Sequence, residues 1–173
     1  MINDLPLVSV ITFVYVSATN GRLPLLKECM ESIRDQKYPN YEHIFIDDGS
    51  DVDLSELIAE FPHTSLYKKT GTGILSSTYT FNLGHQLANG EYCIYLPSDD
   101  VHMPNAIAGL VEDISANPEA PMVIGKAVYE YTNVPTATWA PSPDKIENNL
   151  GDGNHVNGCA VMWRKSEKLL HLL

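Results

Sequence analysis

Two pairs of neighbouring aspartates are the residues of this sequence best suited to chemistry: Asp47 with Asp48, and Asp99 with Asp100. Adjacent carboxylates repel each other unless a cation or a proton relieves the repulsion. A hard divalent cation in a phosphate site binds one or two carboxylates and completes its shell with phosphate oxygens and water. The two pairs therefore predict a phosphate-containing ligand that is held together with a divalent cation.

Each acidic pair also has a purely structural explanation. Aspartate and glycine are turn formers, as in Asp47-Asp48-Gly49-Ser50, and a residue of Ser98-Asp99-Asp100 can cap a helix that begins near Pro104. In the functional interpretation, a carboxylate of the first pair accepts a hydrogen bond from a nucleobase N–H or a ribose hydroxyl, while Gly49 lets the ligand approach the backbone closely. One residue is enough for a cap, so the second pair has a carboxylate left for a cation. His102 is a weaker candidate for the same cation.

Strands and helices that alternate along the chain position both pairs. The apolar runs at 7–14, 43–46 and 92–96 are typical of strands buried on both faces, and the last two lead into the aspartates. Further strands are predicted at 64–68, 122–124 and 159–162, and helices at 22–36, 54–61, 78–88, 104–117 and 165–173. This alternation predicts an α/β fold in which helices cover both faces of a mostly parallel sheet. Ligands of such sheets bind outside the carboxyl ends of the strands, where both pairs lie.

The composition excludes several classes of protein. A chain of 173 residues with 44% hydrophobic content is long enough for one core, so we expect a single domain over residues 1–173. The 22 acidic residues against 11 basic ones give a net charge of -11, which opposes binding to nucleic acid or anionic lipid. Cys29, Cys93 and Cys159 fit neither a zinc finger nor a closed disulfide framework, which favours a reducing, cytoplasmic location. The sequence contains no apolar stretch long enough to cross a bilayer and no signal-peptide pattern.

Several further segments complete a specific pattern around the acidic pairs. They are residues 8–11, 26–42, 46–50, 82–84, 88–92, 96–100, 103–104 and 157–166. Together they resemble the family-2 glycosyltransferases, whose Rossmann-like nucleotide-binding fold is called GT-A. The resemblance implies a transferase that binds a nucleotide-diphosphate sugar with Mn²⁺ or Mg²⁺. Such an enzyme passes the sugar, with inversion, to a hydroxyl of a sugar, lipid-linked or protein acceptor.

The resemblance also implies roles for individual residues. Asp48 falls on the position that contacts the uracil of a UDP-sugar, and Tyr15 falls on the aromatic residue that stacks on that base. Asp100 falls on the aspartate that binds the metal on the diphosphate, with Asp99 beside it facing the ribose or the sugar. Supporting contacts to the donor are expected from Phe13, Asp47, Gly49 and Ser98, and acceptor-side contacts from Asn157, Gly158 and Trp163.

The chain departs from the family pattern at three places. Of the usual Pro-Thr-Tyr-Asn loop after the first strand, only Tyr15 is kept. Pro97 stands where many members have another aspartate. No basic residue at 73–80 matches the one that helps some relatives bind the diphosphate, although Lys68 and Lys69 are near in sequence.

The general base for the transfer is not evident in the sequence. In relatives it is a carboxylate that follows the segment matching 157–166, whereas this chain stops at Leu173 within a predicted helix. We therefore expect a longer polypeptide, in which residues 1–100 form the nucleotide-binding half and 101–173 begin an acceptor-side half. Asp152 and His155 are substitutes for the base, although the glycines beside Asp152 favour a flexible turn.

Two other functions remain open at the level of sequence. One is a non-catalytic module that binds a nucleotide sugar without a general base. The other is a phosphoacceptor signalling domain, because such domains also gather aspartates and a lysine at strand ends. In those domains, however, the paired acids end the first strand, whereas here the first strand ends in Phe13-Val14-Tyr15.

Overall fold

Six strands form the central sheet of the chain, in a computed structural model that describes residues 5–68, 77–131, 134–139 and 158–165. In chain order, the strands of the described residues are β1 (Val8–Val14), β2 (Tyr41–Asp47), β3 (Thr64–Lys68), β4 (Tyr92–Tyr95), β5 (Met122–Ile124), β6 (Ala127–Tyr131), β7 (Val134–Trp139) and β8 (Val161–Arg164). The sheet has the order β3-β2-β1-β4-β8-β5, in which β1 to β4 run parallel. β8 runs antiparallel to both of its neighbours, and β6 and β7 pair separately as an antiparallel hairpin.

Helices cover both faces of this sheet. They are α1 (Arg22–Arg34), α2 (Ser55–Ala59), α3 (Ser77–Leu87) and α4 (Ala106–Ala116), with a short 3₁₀ helix at Gly158–Ala160. α1, α2 and α4 pack on one face, because apolar residues recur at helical spacing along α1 and α4, while α3 packs on the other face. The predicted α/β architecture is confirmed. No helix in the described ranges is both long and apolar enough to cross a membrane.

α3 lies close to β1 because Gly84 has no side chain. A Cβ atom at Gly84 would lie 2.3 Å from Cγ2 of Ile11, well inside van der Waals contact. Gly90 is similarly constrained, because a Cβ atom there would lie 2.7 Å from the backbone nitrogen of Ser9 and from the carbonyl oxygen of Tyr92. Close packing of the chain against β1 therefore explains both glycines.

Glu42 ties β1 and β2 to the turn that precedes β4. Its Oε1 accepts hydrogen bonds from Ser9 Oγ and from the backbone N–H of Asn89, each at 2.6 Å, and its Oε2 accepts one from Asn89 Nδ2 at 3.1 Å. Burial opposes ionisation of Glu42, but the hydrogen bonds from Ser9 and Asn89 outweigh it and lower the pKa of the carboxyl. The ionised form of Glu42 is therefore part of the folded structure.

The structure differs from the sequence-based prediction at several element ends and by one additional hairpin. α1 ends at Arg34 rather than Gln36, because the amide of Gln36 joins α1 to α4: its Nε2 donates to Met103 O at 2.8 Å and its Oε1 accepts from Ile107 N at 3.2 Å. The β6–β7 hairpin was not predicted, since Pro and Asn interrupt its apolar pattern. β8 begins at Val161 rather than two residues earlier, because residues 158–160 form the 3₁₀ helix. The helix predicted at 165–173 lies outside the described residues except for its first position.

Candidate functional site

The two acidic pairs lie at the same edge of the sheet. β1 is the central strand of the group β2-β1-β4, and Val14 at its end pairs with Asp47 at the end of β2. On the other side, the backbone N–H of Leu96 donates to Ile11 O at 3.0 Å, so the chain leaves β4 beside the last residues of β1. The loops after β1, β2 and β4 therefore emerge together, as expected for the carboxyl edge of a parallel sheet.

Backbone hydrogen bonds fasten the first acidic loop to the end of β1. The N–H of Asp48 donates to Val14 O, and the N–H of Asp51 donates to Val16 O, each at 2.9 Å. In return, the N–H of Val16 donates to Ser50 Oγ at 2.9 Å. The loop is thus held as a continuation of the β1–β2 pairing, which fixes the position of Asp48.

Asp47 organises this loop from the inside. The residue is 1% exposed. Its Oδ1 accepts a hydrogen bond from the N–H of Ser50 at 2.8 Å, and its Oδ2 lies 3.8 Å from Nζ of Lys68. Gly49 has a φ angle of 85°, a left-handed conformation that glycine adopts readily, and this allows the tight turn. Both carboxylate oxygens of Asp47 therefore have partners within the protein. The next residue, Asp48, is also buried.

The two aromatic residues expected near the nucleotide lie in different surroundings. Tyr15 is half-buried, and its hydroxyl donates to Asp51 Oδ2 at 2.9 Å; this hydrogen bond is the main cause of a raised pKa of the Tyr15 hydroxyl. Phe13 instead packs against Tyr95, with 5.4 Å between ring centroids, on the face covered by α3. The structure therefore places Tyr15 beside the first acidic loop and Phe13 against Tyr95, and the predicted donor contacts of both residues stay predictions.

Asp99 of the second acidic loop forms an ion pair with Arg22, the first residue of α1. Arg22 Nη1 lies 3.2 Å from Asp99 Oδ2. Arg22 was not identified from the sequence as a site residue. The available signal was its position at the start of the helix that follows β1, because the amino end of such a helix lies at the carboxyl edge of the sheet. The Arg22 guanidinium thus supplies a positive charge at this edge, whereas residues 73–80 contain no basic residue.

Asp100 is exposed at the end of the second acidic loop. Partial burial of the carboxyl group raises the pKa of Asp100, and the negative charge of Asp99 adds to this effect, whereas the polar influence of the Cys159 thiol opposes it. Burial also raises the pKa of the Cys159 thiol to about 12, with the charge of Asp100 as a further cause. Cys159 therefore keeps its proton at neutral pH.

His102 connects the second acidic loop to the 3₁₀ helix. It is 8% exposed, and its Nε2 lies 2.8 Å from the carbonyl oxygen of Cys159. A carbonyl oxygen only accepts, so Nε2 carries a proton, and burial lowers the pKa of the ring and favours its neutral form. The backbone N–H of His102 also donates to Ser32 Oγ at 3.1 Å, which joins the loop to α1. These contacts make His102 a support of the loop, and Ser98 is buried in the same segment.

The second acidic loop is suited to bind a divalent cation that is also coordinated by phosphate oxygens of a ligand. Within the described residues, no group of three or more His, Cys, Asp or Glu side chains is close enough to hold a metal ion. The carboxylate of Asp100 is nevertheless exposed beside that of Asp99, and a cation would relieve their repulsion. Such a cation would have one or two protein ligands, which is usual for Mg²⁺ on a phosphate substrate.

The predicted acceptor-side residues are only partly described. Gly158 is exposed at the start of the 3₁₀ helix. Trp163 lies in the core at 8% exposure, where its indole N–H donates to His85 Nδ1 at 3.2 Å and its ring stacks on Phe81 with 5.7 Å between centroids. The structure thus shows Trp163 packed in the core, and its predicted contact with a sugar stays a prediction. Asn157 and the two substitutes for the general base, Asp152 and His155, lie outside the described residues.

Comparison with known proteins identifies a family and a curated relative. The chain matches the family described as Glycosyl transferase family 2 over residues 9–170. It is 32% identical over 130 residues to the glycosyltransferase GlyG of Streptococcus pneumoniae serotype 4, and this match covers 72% of the chain and 40% of that protein.

Solved structures show the same fold. The mannosyltransferase PcManGT from Pyrobaculum calidifontis, in complex with GDP-Man and Mn²⁺, has a TM-score of 0.65 at 20% identity, over 99% of this chain and 48% of that one. S. aureus TarS 1-349, in complex with UDP-GlcNAc, has a TM-score of 0.55 at 20% identity, over 68% and 33% of the two chains. These likenesses bear out the GT-A fold. The chain spans less than half the length of each of the three relatives.

Proposed function

The chain belongs to glycosyl transferase family 2, and we propose that its carboxyl edge binds a nucleotide-diphosphate sugar with a divalent cation, for transfer of the sugar to an acceptor hydroxyl with inversion. The observation that carries this proposal is the placement of the two acidic loops on either side of the end of β1. One loop is fixed by backbone hydrogen bonds, and the other combines exposed carboxylates with a guanidinium group. A nucleoside diphosphate has a polar base at one end and anionic oxygens at the other, which matches this arrangement.

Asp48 and Tyr15 form the nucleoside end of the proposed site. The hydrogen bond from Tyr15 to Asp51 holds the phenol ring beside the loop that contains Asp48. A ring fixed in this way presents a face on which a base can stack. The carboxylate of Asp48 can then accept a hydrogen bond from a base N–H or a ribose hydroxyl.

Arg22, Asp99 and Asp100 form the diphosphate end of the proposed site. Arg22 can exchange Asp99 for a phosphate oxygen, because an exposed ion pair contributes only about 0–1 kcal/mol. Asp100 would hold the cation, with Asp99 beside it. A divalent cation bound there would supply Lewis-acid stabilisation of the charge that develops on the departing diphosphate.

The solved relatives support this class of donor without identifying the base. One of them is in complex with a guanosine-diphosphate sugar and Mn²⁺, and another with a uridine-diphosphate sugar. We propose UDP as the first nucleotide to test, because Asp48 matches the family position that contacts uracil. The acceptor is proposed to be a hydroxyl of a sugar, of a lipid-linked sugar or of a protein.

The general base is the remaining part of the proposed mechanism. Inversion requires a carboxylate that takes the proton of the acceptor hydroxyl, on the side opposite the departing diphosphate. Asp152 and His155 are the candidates within this chain. The alternative function is a non-catalytic module that binds the donor without transferring the sugar.

A ligand screen with matched variants tests the proposal. We expect UDP or GDP to raise the melting temperature of the chain, and to raise it further with Mn²⁺, because a ligand that binds only the native state stabilises it. Asp100→Ala should abolish the additional effect of Mn²⁺, and Asp48→Ala should weaken nucleotide binding with or without the metal. Asp113→Ala is the control, because it removes an exposed carboxylate from α4, outside the acidic loops.

Three outcomes separate the possibilities. If no nucleoside diphosphate binds with or without Mn²⁺, the proposed site is wrong. If Asp48→Ala and Asp100→Ala behave like Asp113→Ala, the roles of the two aspartates are wrong. If a nucleotide sugar binds but is neither hydrolysed nor transferred to any acceptor supplied, the result supports the non-catalytic module.

A further inference from the structure

His102, which follows Asp100 by two residues, joins the second acidic loop to two other parts of the fold. Its backbone N–H donates to Ser32 Oγ of α1 at 3.1 Å, and its Nε2 donates to the carbonyl oxygen of Cys159 at 2.8 Å. These partners lie 70 and 57 positions away in the chain. Only the tertiary structure therefore brings them to the loop.

Neighbouring hydrogen bonds hold the chain on the α1 side of His102. The side chain of Gln36 donates from Nε2 to Met103 O at 2.8 Å. The backbone N–H of Lys37 donates to Pro104 O at 2.9 Å. Three consecutive residues, beginning with His102, are thus fastened to α1 or to the chain that follows it.

The 3₁₀ helix on the other side of His102 is anchored to the sheet. The carbonyl oxygen of Ala160, the residue after Cys159, accepts a hydrogen bond from the backbone N–H of Gly125 at 2.7 Å, and Ala160 is buried. β8 follows immediately and pairs with both β4 and β5. The acceptor of the Nε2 hydrogen bond therefore has a fixed position relative to the loop after β4.

The two ring nitrogens of His102 differ in their surroundings. Nε2 carries the proton, because its partner is a carbonyl oxygen, and Nδ1 of the neutral ring therefore has only a lone pair. Nδ1 is buried and has no hydrogen-bond partner within the described part of the chain. The ring can thus act in two distinguishable ways: through Nε2 as a donor that holds the loop, or through Nδ1 as a direct ligand of the cation.

A loop that keeps its shape before the cation arrives binds it more tightly, because no ordering cost is paid on binding. Residues that hold a metal ligand in place from outside its coordination shell typically contribute 10- to 100-fold to metal affinity. His102 acts on Asp100 through the intervening backbone rather than on the carboxylate itself. Its contribution therefore belongs at the lower end of that range.

We propose that His102 is a positioning residue for the cation, whose Nε2 hydrogen bond to Cys159 holds the second acidic loop in the shape in which Asp100 binds the metal of the donor complex. This inference rests on the proposed function, since it assumes a cation at Asp100. It gives His102 an indirect role in place of direct ligation. It also makes the 3₁₀ helix before β8 part of the framework of the donor site.

Three substitutions of His102 separate the two uses of the ring. His102→Met removes both nitrogens. His102→Gln places an N–H donor near the position of Nε2, whereas the shorter side chain of His102→Asn places its polar group near the position of Nδ1 and does not reach Cys159. His43→Met is the matched control, because His43 is also a buried histidine with a hydrogen bond from one ring nitrogen, toward the amino end of β2.

The measurement is the Mn²⁺ dissociation constant in the presence of saturating UDP or GDP, from the electron paramagnetic resonance signal of free Mn²⁺. Nucleotide affinity in EDTA is measured in parallel. His102→Met and His102→Asn should bind Mn²⁺ about tenfold more weakly than the parent chain, and His102→Gln should recover most of the lost affinity. His43→Met should match the parent chain in Mn²⁺ affinity, and all variants should bind the nucleotide in EDTA as the parent chain does.

Each other result overturns the inference in a recognisable way. Unchanged Mn²⁺ affinity in His102→Met refutes the positioning role but leaves the proposed function intact. Recovery in His102→Asn rather than in His102→Gln shows that Nδ1 ligates the cation directly. A loss of nucleotide binding in EDTA shows that His102 serves packing alone.

Two further outcomes are also decisive. If His102→Met does not fold, the comparison of His102→Gln with His102→Asn still decides between the two nitrogens, because each of these variants keeps a polar group at the buried position. If the parent chain binds the nucleotide but no Mn²⁺, the cation site at Asp100 fails and the role of His102 fails with it.

Discussion

Substitution of Arg22 by alanine is expected to weaken donor binding while leaving the folding stability of the chain nearly unchanged. The side chains of Arg22 and Asp99 are 43% and 42% exposed, so the ion pair at 3.2 Å is largely solvated. Exposed pairs contribute about 0–1 kcal/mol, and a change of this size lowers the melting temperature of a chain of this length by at most about 2–4 °C. Arg22→Ala should therefore fold nearly as well as the parent chain.

The effect on the donor should be larger than the effect on folding. A hydrogen bond to a charged group contributes about 1.5–3 kcal/mol. Arg22 must first leave Asp99, which offsets up to about 1 kcal/mol of this gain. The net loss of about 1–2 kcal/mol corresponds to roughly five- to thirtyfold weaker binding. Isothermal titration calorimetry with UDP or GDP and Mn²⁺ measures this directly.

Arg34→Ala is the matched control for this experiment. Arg34 is the last residue of α1, and its Nε lies 2.9 Å from Asp35 Oδ1 in another exposed ion pair. It lies at the opposite end of the helix from Arg22, so its loss changes the net charge equally without touching the proposed site. If Arg22→Ala binds the nucleotide as tightly as the parent chain, Arg22 does not contact the diphosphate. If both variants weaken nucleotide binding equally, the loss comes from the change in net charge rather than from a contact of Arg22 with the diphosphate.

Two further predictions concern the framework behind the site. Glu42→Gln should destabilise the chain by about 1–3 kcal/mol, because the new amide N–H₂ faces Asn89 Nδ2 and a charge-assisted hydrogen bond is lost. Because folding lowers the pKa of Glu42 below its ordinary value of 4.5, its stabilisation is complete above that pH and is lost as the pH falls below it. Urea unfolding from pH 7 to pH 3 should show a shallower acid-side loss in Glu42→Gln, and parallel curves would contradict this role. Gly84→Ala should lower the melting temperature by about 2–8 °C, because α3 must move away from Ile11 at a cost of about 1–3 kcal/mol, partly offset by helix propensity. An unchanged melting temperature would show that Ile11 moves aside freely.

Local patterns in the sequence were sufficient for most of the fold. Apolar runs and helical spacing predicted every strand of the central sheet and all four helices, because burial against a sheet imposes those periods on nearby residues. The same reasoning placed both acidic pairs at strand ends. It missed the β6–β7 hairpin, whose polar and Pro-containing strands lack such a pattern.

Local sequence also predicted candidate residues of the site, but it could not show what each one contacts. Asp47 and Asp48 look equivalent in the sequence, yet Asp47 is committed to Ser50 and Lys68. Trp163 was a candidate for sugar stacking and lies instead in the core.

Residues close together in the chain are enough to identify the family, the alternation of strands and helices, and the two acidic pairs. The contacts of the second acidic loop, in contrast, depend on the tertiary structure. Arg22 reaches Asp99 because β1 and β4 are neighbours in the sheet, and the carbonyl oxygen of Cys159 reaches His102 because β8 pairs antiparallel to β4. The strand order sets these distances, and no local period in the sequence encodes a strand order.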